Sequence, residues 1–214
     1  MTIELVIFDC DGVLVDSEFI ANHILAEELT RIGLPTTYAE SIRFYMGKSE
    51  KDCLSLIAEK LGGQPPPSLM ENYHSRTVIA FAQDLKPVEG ISDALRQIPL
   101  TKCVGSSGSH QKIHTSLSQT GLQAFFKNNI FSASDVERGK PHPDLFLYAA
   151  DKMEVTPAAC IVIEDSVPGV TAAKGAGMRV FGYAALTSAA QLQSAGAEVF
   201  NHMLDLPDLL LFDS

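Results

Sequence analysis

Ile3-Glu4-Leu5-Val6-Ile7-Phe8 is a run broken only by Glu4, and comparable short apolar runs recur near Thr101–Gly105, Ile130–Ala133, Cys160–Ile163 and Arg179–Tyr183. Runs of this kind suit strands covered on both faces, as in a parallel sheet flanked by helices. The stretches between the later runs have helical period, and parallel strands joined through helices need right-handed crossovers. The pattern predicts an α/β chain built on a doubly wound, mostly parallel sheet.

The segment from Asp16 to Leu85 departs from that rhythm. It is poor in strand runs, and Ile20, Ile24 and Ile32 fall on or near one face of a helix that starts near Ser17 and stops at Gly33. A second short helix fits the stretch ending at Met46-Gly47. Ser49-Glu50-Lys51-Asp52 and Ser68-Leu69-Met70-Glu71 both have capping-box spacing, in which a serine oxygen takes an early amide and the acid three residues on reciprocates. Leu54, Ile57, Ala58 and Leu61 follow the first box at helical spacing, and Gly62-Gly63 with Pro65-Pro66-Pro67 parts two helices. Residues 1–15 and 86–214 are therefore expected to form one core domain, interrupted by a small helical bundle over 16–85.

Composition narrows the function classes. With 214 residues, 46% of them hydrophobic and 20% charged, the chain can bury a full core and is neither disordered nor fibrous in type. No apolar run approaches the roughly 18 residues of a membrane span. The first residues lack a basic segment and an apolar signal core, so a cytoplasmic location is expected. A net charge of −10 repels a phosphate backbone, and no cluster of Lys and Arg offsets it, which argues against a nucleic-acid partner. The four cysteines, Cys10, Cys53, Cys103 and Cys160, are scattered without a C-x-x-C pair, against both a zinc site and a disulfide framework. Cys10 stands between two carboxylates, whose charge disfavours a reactive thiolate.

The ends of the apolar runs carry the chemistry. Phe8 is followed by Asp9-Cys10-Asp11-Gly12, and in open α/β sheets the carboxyl ends of the strands face the ligand crevice. Asp and Gly are also ordinary turn residues, so this tetrapeptide gains weight from what lies downstream. Val104-Gly105 leads into Ser106-Ser107-Gly108-Ser109, a loop able to offer amides and a hydroxyl to a phosphate. Gly139-Lys140-Pro141-His142-Pro143 holds a lysine on a restrained stretch, and Ile161-Val162-Ile163 ends in Glu164-Asp165-Ser166. Two acidic strand ends suit a hard cation such as Mg²⁺, which prefers carboxylate and phosphate oxygens.

Taken in order, Asp9-Cys10-Asp11-Gly12-Val13-Leu14-Val15-Asp16-Ser17, Ser106, Lys140-Pro141 and Glu164-Asp165-Ser166 resemble the motifs of the haloacid dehalogenase-like hydrolases. The helical insertion resembles the cap of the phosphoglucomutase-like and phosphoglycolate-phosphatase-like branch. The resemblance implies a Rossmann-like core with a mobile helical cap, and an Mg²⁺-dependent phosphatase acting on a small phosphorylated metabolite. It assigns Asp9 as nucleophile and Asp11 as acid and base. Ser106, the Ser107 amide and Lys140 would hold phosphate. Asp9, Asp11 through its main-chain carbonyl and Asp165 would hold the metal, with Glu164 supporting a metal-bound water. In the cap, Lys48 would touch the substrate. No membrane partner is implied, and the chain is expected to act as a monomer or weak homo-oligomer.

Other readings are less favoured. A sugar-phosphate mutase of the β-phosphoglucomutase type would carry a histidine where Ala21 stands and an arginine where Glu50 stands, so phosphatase is preferred. A binding module on the same scaffold would lack the nucleophile, whereas Asp9, Asp11, Lys140 and Asp165 are all present.

Overall fold

The computed structural model describes residues 2–46, 48 and 50–211. Among the described residues six strands form one sheet: β1 (Leu5–Phe8), β2 (Thr101–Ser106), β3 (Ile130–Ser132), β4 (Cys160–Glu164), β5 (Arg179–Tyr183) and β6 (Glu198–Phe200). Every pairing is parallel, in the order β3-β2-β1-β4-β5-β6. This is the strand order of a Rossmann-like fold. Strands β1 and β4 are buried along their whole length, as their apolar runs require. The sixth strand has no counterpart in the sequence reading. It spans three residues at the sheet edge, begins on the exposed Glu198, and offers too short an apolar run to stand out.

The described residues hold eleven α-helices. Four of them, α1 (Ser17–Arg31), α2 (Tyr38–Tyr45), α3 (Glu50–Leu61) and α4 (Ser68–Asp84), belong to a compact unit of residues 17–85. Residues 1–16 and 86–214 make the other unit. It carries α5 (Ile91–Gln97), α6 (His110–Gln119), α7 (Gln123–Phe126), α8 (Asp144–Lys152), α9 (Val167–Gly175), α10 (Ala189–Ala195) and α11 (Leu206–Leu211). No helix among the described residues is long and apolar enough to cross a membrane.

Each unit buries its own core. In the sheet unit, Leu5, Ile7, Cys103, Phe146, Val162 and Val180 pack together. In the helical unit the core gathers Leu25, Leu29, Tyr45, Ile57 and Leu69, with Ile32, Leu54 and Leu61 against it. The buried face of α1 is thus centred on Leu25 and Leu29, beside the isoleucine positions that the period picks out. Asn22 is also buried there; its amide donates to the Glu18 carbonyl at 2.9 Å and its oxygen accepts from Ser41 at 2.8 Å.

One local expectation is overturned. Ser68 does not cap α4: Pro67 holds the cap position, with no side-chain cap hydrogen bond. The triple proline already sets the chain direction and φ at the helix start, so the serine falls inside the first turn. The Ser49 box and Gly47 lie outside the described residues. A capping box that the sequence reading passed over joins Thr37 and Glu40 at the start of α2.

The two stretches of the sheet unit that flank the helical unit are hydrogen-bonded to each other. Val15 bridges Pro87 in antiparallel fashion, the Asp16 amide donates to the Lys86 carbonyl at 2.9 Å, and the Val88 amide donates to the Leu14 carbonyl at 3.0 Å.

Candidate active site

Strand β1 sits mid-sheet, with β2 on one side and β4 on the other. The chain runs from β1 outward through β2 and β3, then returns to β4 on the opposite side. The gap at the carboxyl ends of β1 and β4 is therefore the topological switch point, where neighbouring loops diverge and leave a crevice. Asp9 follows β1 directly, its amide donating to the Ile163 carbonyl at 2.9 Å, and Glu164 closes β4.

Lys140 ties these two ends together. Its Nζ donates to Asp9 Oδ1 at 2.7 Å and to Glu164 Oε1 at 2.6 Å, with all three side chains nearly or wholly buried. Its loop is closed from outside by Arg138, which grips both carboxylate oxygens of Asp144 at 2.9 and 3.0 Å. The other Glu164 oxygen, Oε2, accepts from the Asp165 and Ser166 amides at 2.9 Å and from the Ser166 hydroxyl at 2.8 Å. One carboxylate thus fixes both the lysine and the turn that leads into α9. Gly169 makes this possible, because a Cβ there would meet the Glu164 carboxylate at 1.8–2.4 Å.

Burial, only partly offset by Lys140, pushes the Asp9 carboxyl up to about 7, with Glu164 and Asp11 adding to the rise. Burial alone would lower Lys140, but Asp9 and Glu164 outweigh it and hold the ammonium above its ordinary range. For Cys10, burial acts first and the Asp11 and Asp9 charges second, all raising the thiol well above its usual value. A thiolate nucleophile is accordingly disfavoured here.

Asp165 completes an acidic group. Carboxylate oxygens of Asp9, Glu164 and Asp165 lie within 4.8 Å of one another, a set made only of hard oxygen donors. The space is kept by Gly12, which has φ +77° and whose added Cβ would stand 2.1 Å from Asp165 Oδ2. The donor set fits a small divalent cation.

The second loop comes from β2. Ser106 is buried and its Oγ accepts from the Gly108 amide at 3.1 Å, while Ser107 is exposed. The Gly108 carbonyl accepts from Ser132 at 2.6 Å, which fastens the loop to the end of β3. Asp9, Glu164, Asp165 and Lys140 are therefore brought into direct contact or close reach, and Ser106 stands at the neighbouring strand end. Lys48 belongs to the other unit, where it lines a cavity of about 210 Å³ with Glu18, Ala21, Asn22, Tyr45 and Glu50.

The sequence reading missed Lys112. From the first turn of α6 its Nζ donates to Asp11 Oδ2 at 2.7 Å. Burial opposes its charge, but Asp11 raises the ammonium above its ordinary value. A signal was present in the chain: the first turn of a helix favours acids, α6 has none there, and a lysine in that position wants a carboxylate partner.

The model of the haloacid dehalogenase-like hydrolase family matches residues 6–183. The chain is a haloacid dehalogenase-like hydrolase. This hydrolase is 30% identical to the 6-phosphogluconate phosphatase of Escherichia coli (strain K12) over 208 residues, which cover 97% of this chain and 94% of that relative. Its fold matches a solved haloacid dehalogenase-like protein of unknown function from Agrobacterium tumefaciens str. C58 with a TM-score of 0.93 at 34% identity, covering 98% of each chain. A hydrolase of the same family from Deinococcus radiodurans R1, solved with bound phosphate and sodium, matches with a TM-score of 0.87 at 30% identity, covering 99% of this hydrolase and 96% of that chain.

Proposed function

We propose that this hydrolase is an Mg²⁺-dependent phosphatase that cleaves small phosphorylated metabolites, sugar phosphates or related phosphomonoesters, through an aspartyl-phosphate on Asp9. The observation that carries this reading is the buried Asp9–Lys140–Glu164 group at the sheet's switch point, with Asp11 two residues beyond the nucleophile. The Escherichia coli relative named for 6-phosphogluconate supports the substrate class.

In the first step an Asp9 carboxylate oxygen bonds to phosphorus as the bond from phosphorus to the leaving oxygen breaks, and Asp11 gives its proton to that oxygen. In the second, a water oxygen bonds to phosphorus and its proton passes to Asp11. The bond to Asp9 then breaks and inorganic phosphate leaves. Ser106 and the Ser107 amide hold phosphate oxygens while Lys140 keeps Asp9 aimed. Charge is the obstacle, since two unit negative charges at about 4 Å repel by about 4 kcal/mol at an effective dielectric of about 20. Mg²⁺ held by Asp9, the Asp11 main-chain carbonyl and Asp165 would supply neutralising charge.

Stripping divalent ions with EDTA is expected to abolish hydrolysis of p-nitrophenyl phosphate, and Mg²⁺ to restore it. Full turnover in EDTA would overturn the metal assignment.

Lys48 is the proposed contact to the substrate's leaving part. In a panel of sugar and polyol phosphates, Lys48→Ala is expected to raise KM about tenfold for the preferred substrate, the worth of one charged hydrogen bond. Unchanged KM across the panel would remove Lys48 from this role.

A further inference from the structure

We propose that Lys112 is a positioning residue that holds the Asp11 carboxyl in the orientation needed to pass a proton to the leaving oxygen. The inference rests on the acid and base role given to Asp11 above, and goes beyond it by naming the group that aims it.

Three observations converge on this lysine. Its Nζ stands 2.7 Å from Asp11 Oδ2, a charge-assisted bond across 101 residues of chain. Its stem runs over the loop that follows β2: a Cβ on Gly108 would meet Lys112 Cδ at 3.3 Å and Ser106 Oγ at 3.5 Å. Its backbone is fixed as well, because the Ser109 hydroxyl caps α6 by accepting from the Lys112 amide at 3.3 Å. Lys112 therefore links the loop after β1 to the loop after β2. A lysine in the first turn of a helix opposes the positive end of the helix dipole, so its charge is placed there against local preference. The Asp11 carboxylate offsets that cost.

Lysine near phosphate has an obvious competing job, which is to bind the phosphate itself. The two jobs differ in how they depend on the leaving group. Proton donation matters most when the leaving oxygen is a poor one, as in an alkyl phosphate, and little when it leaves as p-nitrophenolate. Phosphate binding matters equally for both. The ratio kcat/KM reports the reaction through the first phosphoryl transfer, where the leaving oxygen departs.

The test uses the full chain with Mg²⁺, glycerol 2-phosphate and p-nitrophenyl phosphate as substrates, and the variants Lys112→Met, Lys112→Arg and Asp11→Asn. Methionine keeps the stem over Gly108 and removes the charge. Lys112→Met is expected to lower kcat/KM about thirtyfold or more on glycerol 2-phosphate and by less than about threefold on p-nitrophenyl phosphate, within the range of general acid catalysis. Lys112→Arg is expected to recover most of the loss. Equal losses on both substrates, or no loss on either, would overturn the proposal. Asp11→Asn separates the two levels: if it shows the leaving-group dependence and Lys112→Met does not, the lysine proposal fails and the reading of the site stands. If Asp11→Asn itself shows no such dependence, the acid role fails and the lysine proposal with it. A melting curve for each variant identifies losses that come from unfolding, and Lys112→Arg then decides between the outcomes.

Discussion

Asp9→Asn is expected to lower turnover of any phosphomonoester by about 10⁴-fold or more, the scale on which loss of a covalent nucleophile acts. The amide has nearly the shape of the carboxylate but is too weak a nucleophile to form the acyl-phosphate. Folding should survive, because Lys140 keeps its bond to Glu164 at 2.6 Å and the variant removes one negative charge from a buried group. The measurement pairs steady-state turnover of p-nitrophenyl phosphate with a thermal melt and with mass spectrometry of acid-quenched enzyme. The wild-type chain should gain one phosphoryl group on the peptide holding Asp9, and the variant none. Turnover within tenfold of wild type would refute the nucleophile assignment.

Lys140→Met is expected to damage stability and activity together. Lys140 is the shared partner of Asp9 and Glu164, with side-chain exposures of 5% for the lysine and 0% for Glu164. Removing one member of a buried ion group strands the others and costs about 3–5 kcal/mol. Urea unfolding followed by circular dichroism reads this directly, as a lower midpoint with little change in slope. Adding Glu164→Gln to Lys140→Met should restore part of the stability, since a neutral amide can stay buried beside the Asp165 and Ser166 amides, and should restore no activity. A single variant as stable as wild type would show that the lysine is not the charge that holds the group together.

Much of this architecture is legible in the chain because burial on both faces leaves a plain record. The apolar runs at Ile3–Phe8 and Cys160–Ile163 read as buried strands, and the structure places them side by side in mid-sheet with their acids at the carboxyl ends. The edge strand at Glu198–Phe200 left no such record, because it is three residues long and only Phe200 is buried. Motif order also carried Asp9, Lys140, Glu164 and Asp165 into view, since each sits at a strand end or on a proline-restrained loop. What it did not carry was how the side chains divide the work. Glu164 spends one oxygen on Lys140 and the other on the turn behind it, a division that depends on Gly169 lacking a Cβ. For Lys112 the hidden part was the partner, which lies 101 residues earlier, and only the fold brings the start of α6 to the loop after β1.

The antiparallel seam between Leu14–Asp16 and Lys86–Val88 bears on how such a chain can change over generations. The excursion of residues 17–85 leaves the sheet unit and rejoins it at one closed gate, with Asp16 and Lys86 sharing a hydrogen bond at the threshold. From the sheet's standpoint those residues are a loop whose two ends already touch. Loop-closure entropy grows only slowly with length, so lengthening, shortening or exchanging the excursion changes that cost by little. The helices of the excursion can then change while the strand ends that carry Asp9, Glu164 and Asp165 keep their arrangement.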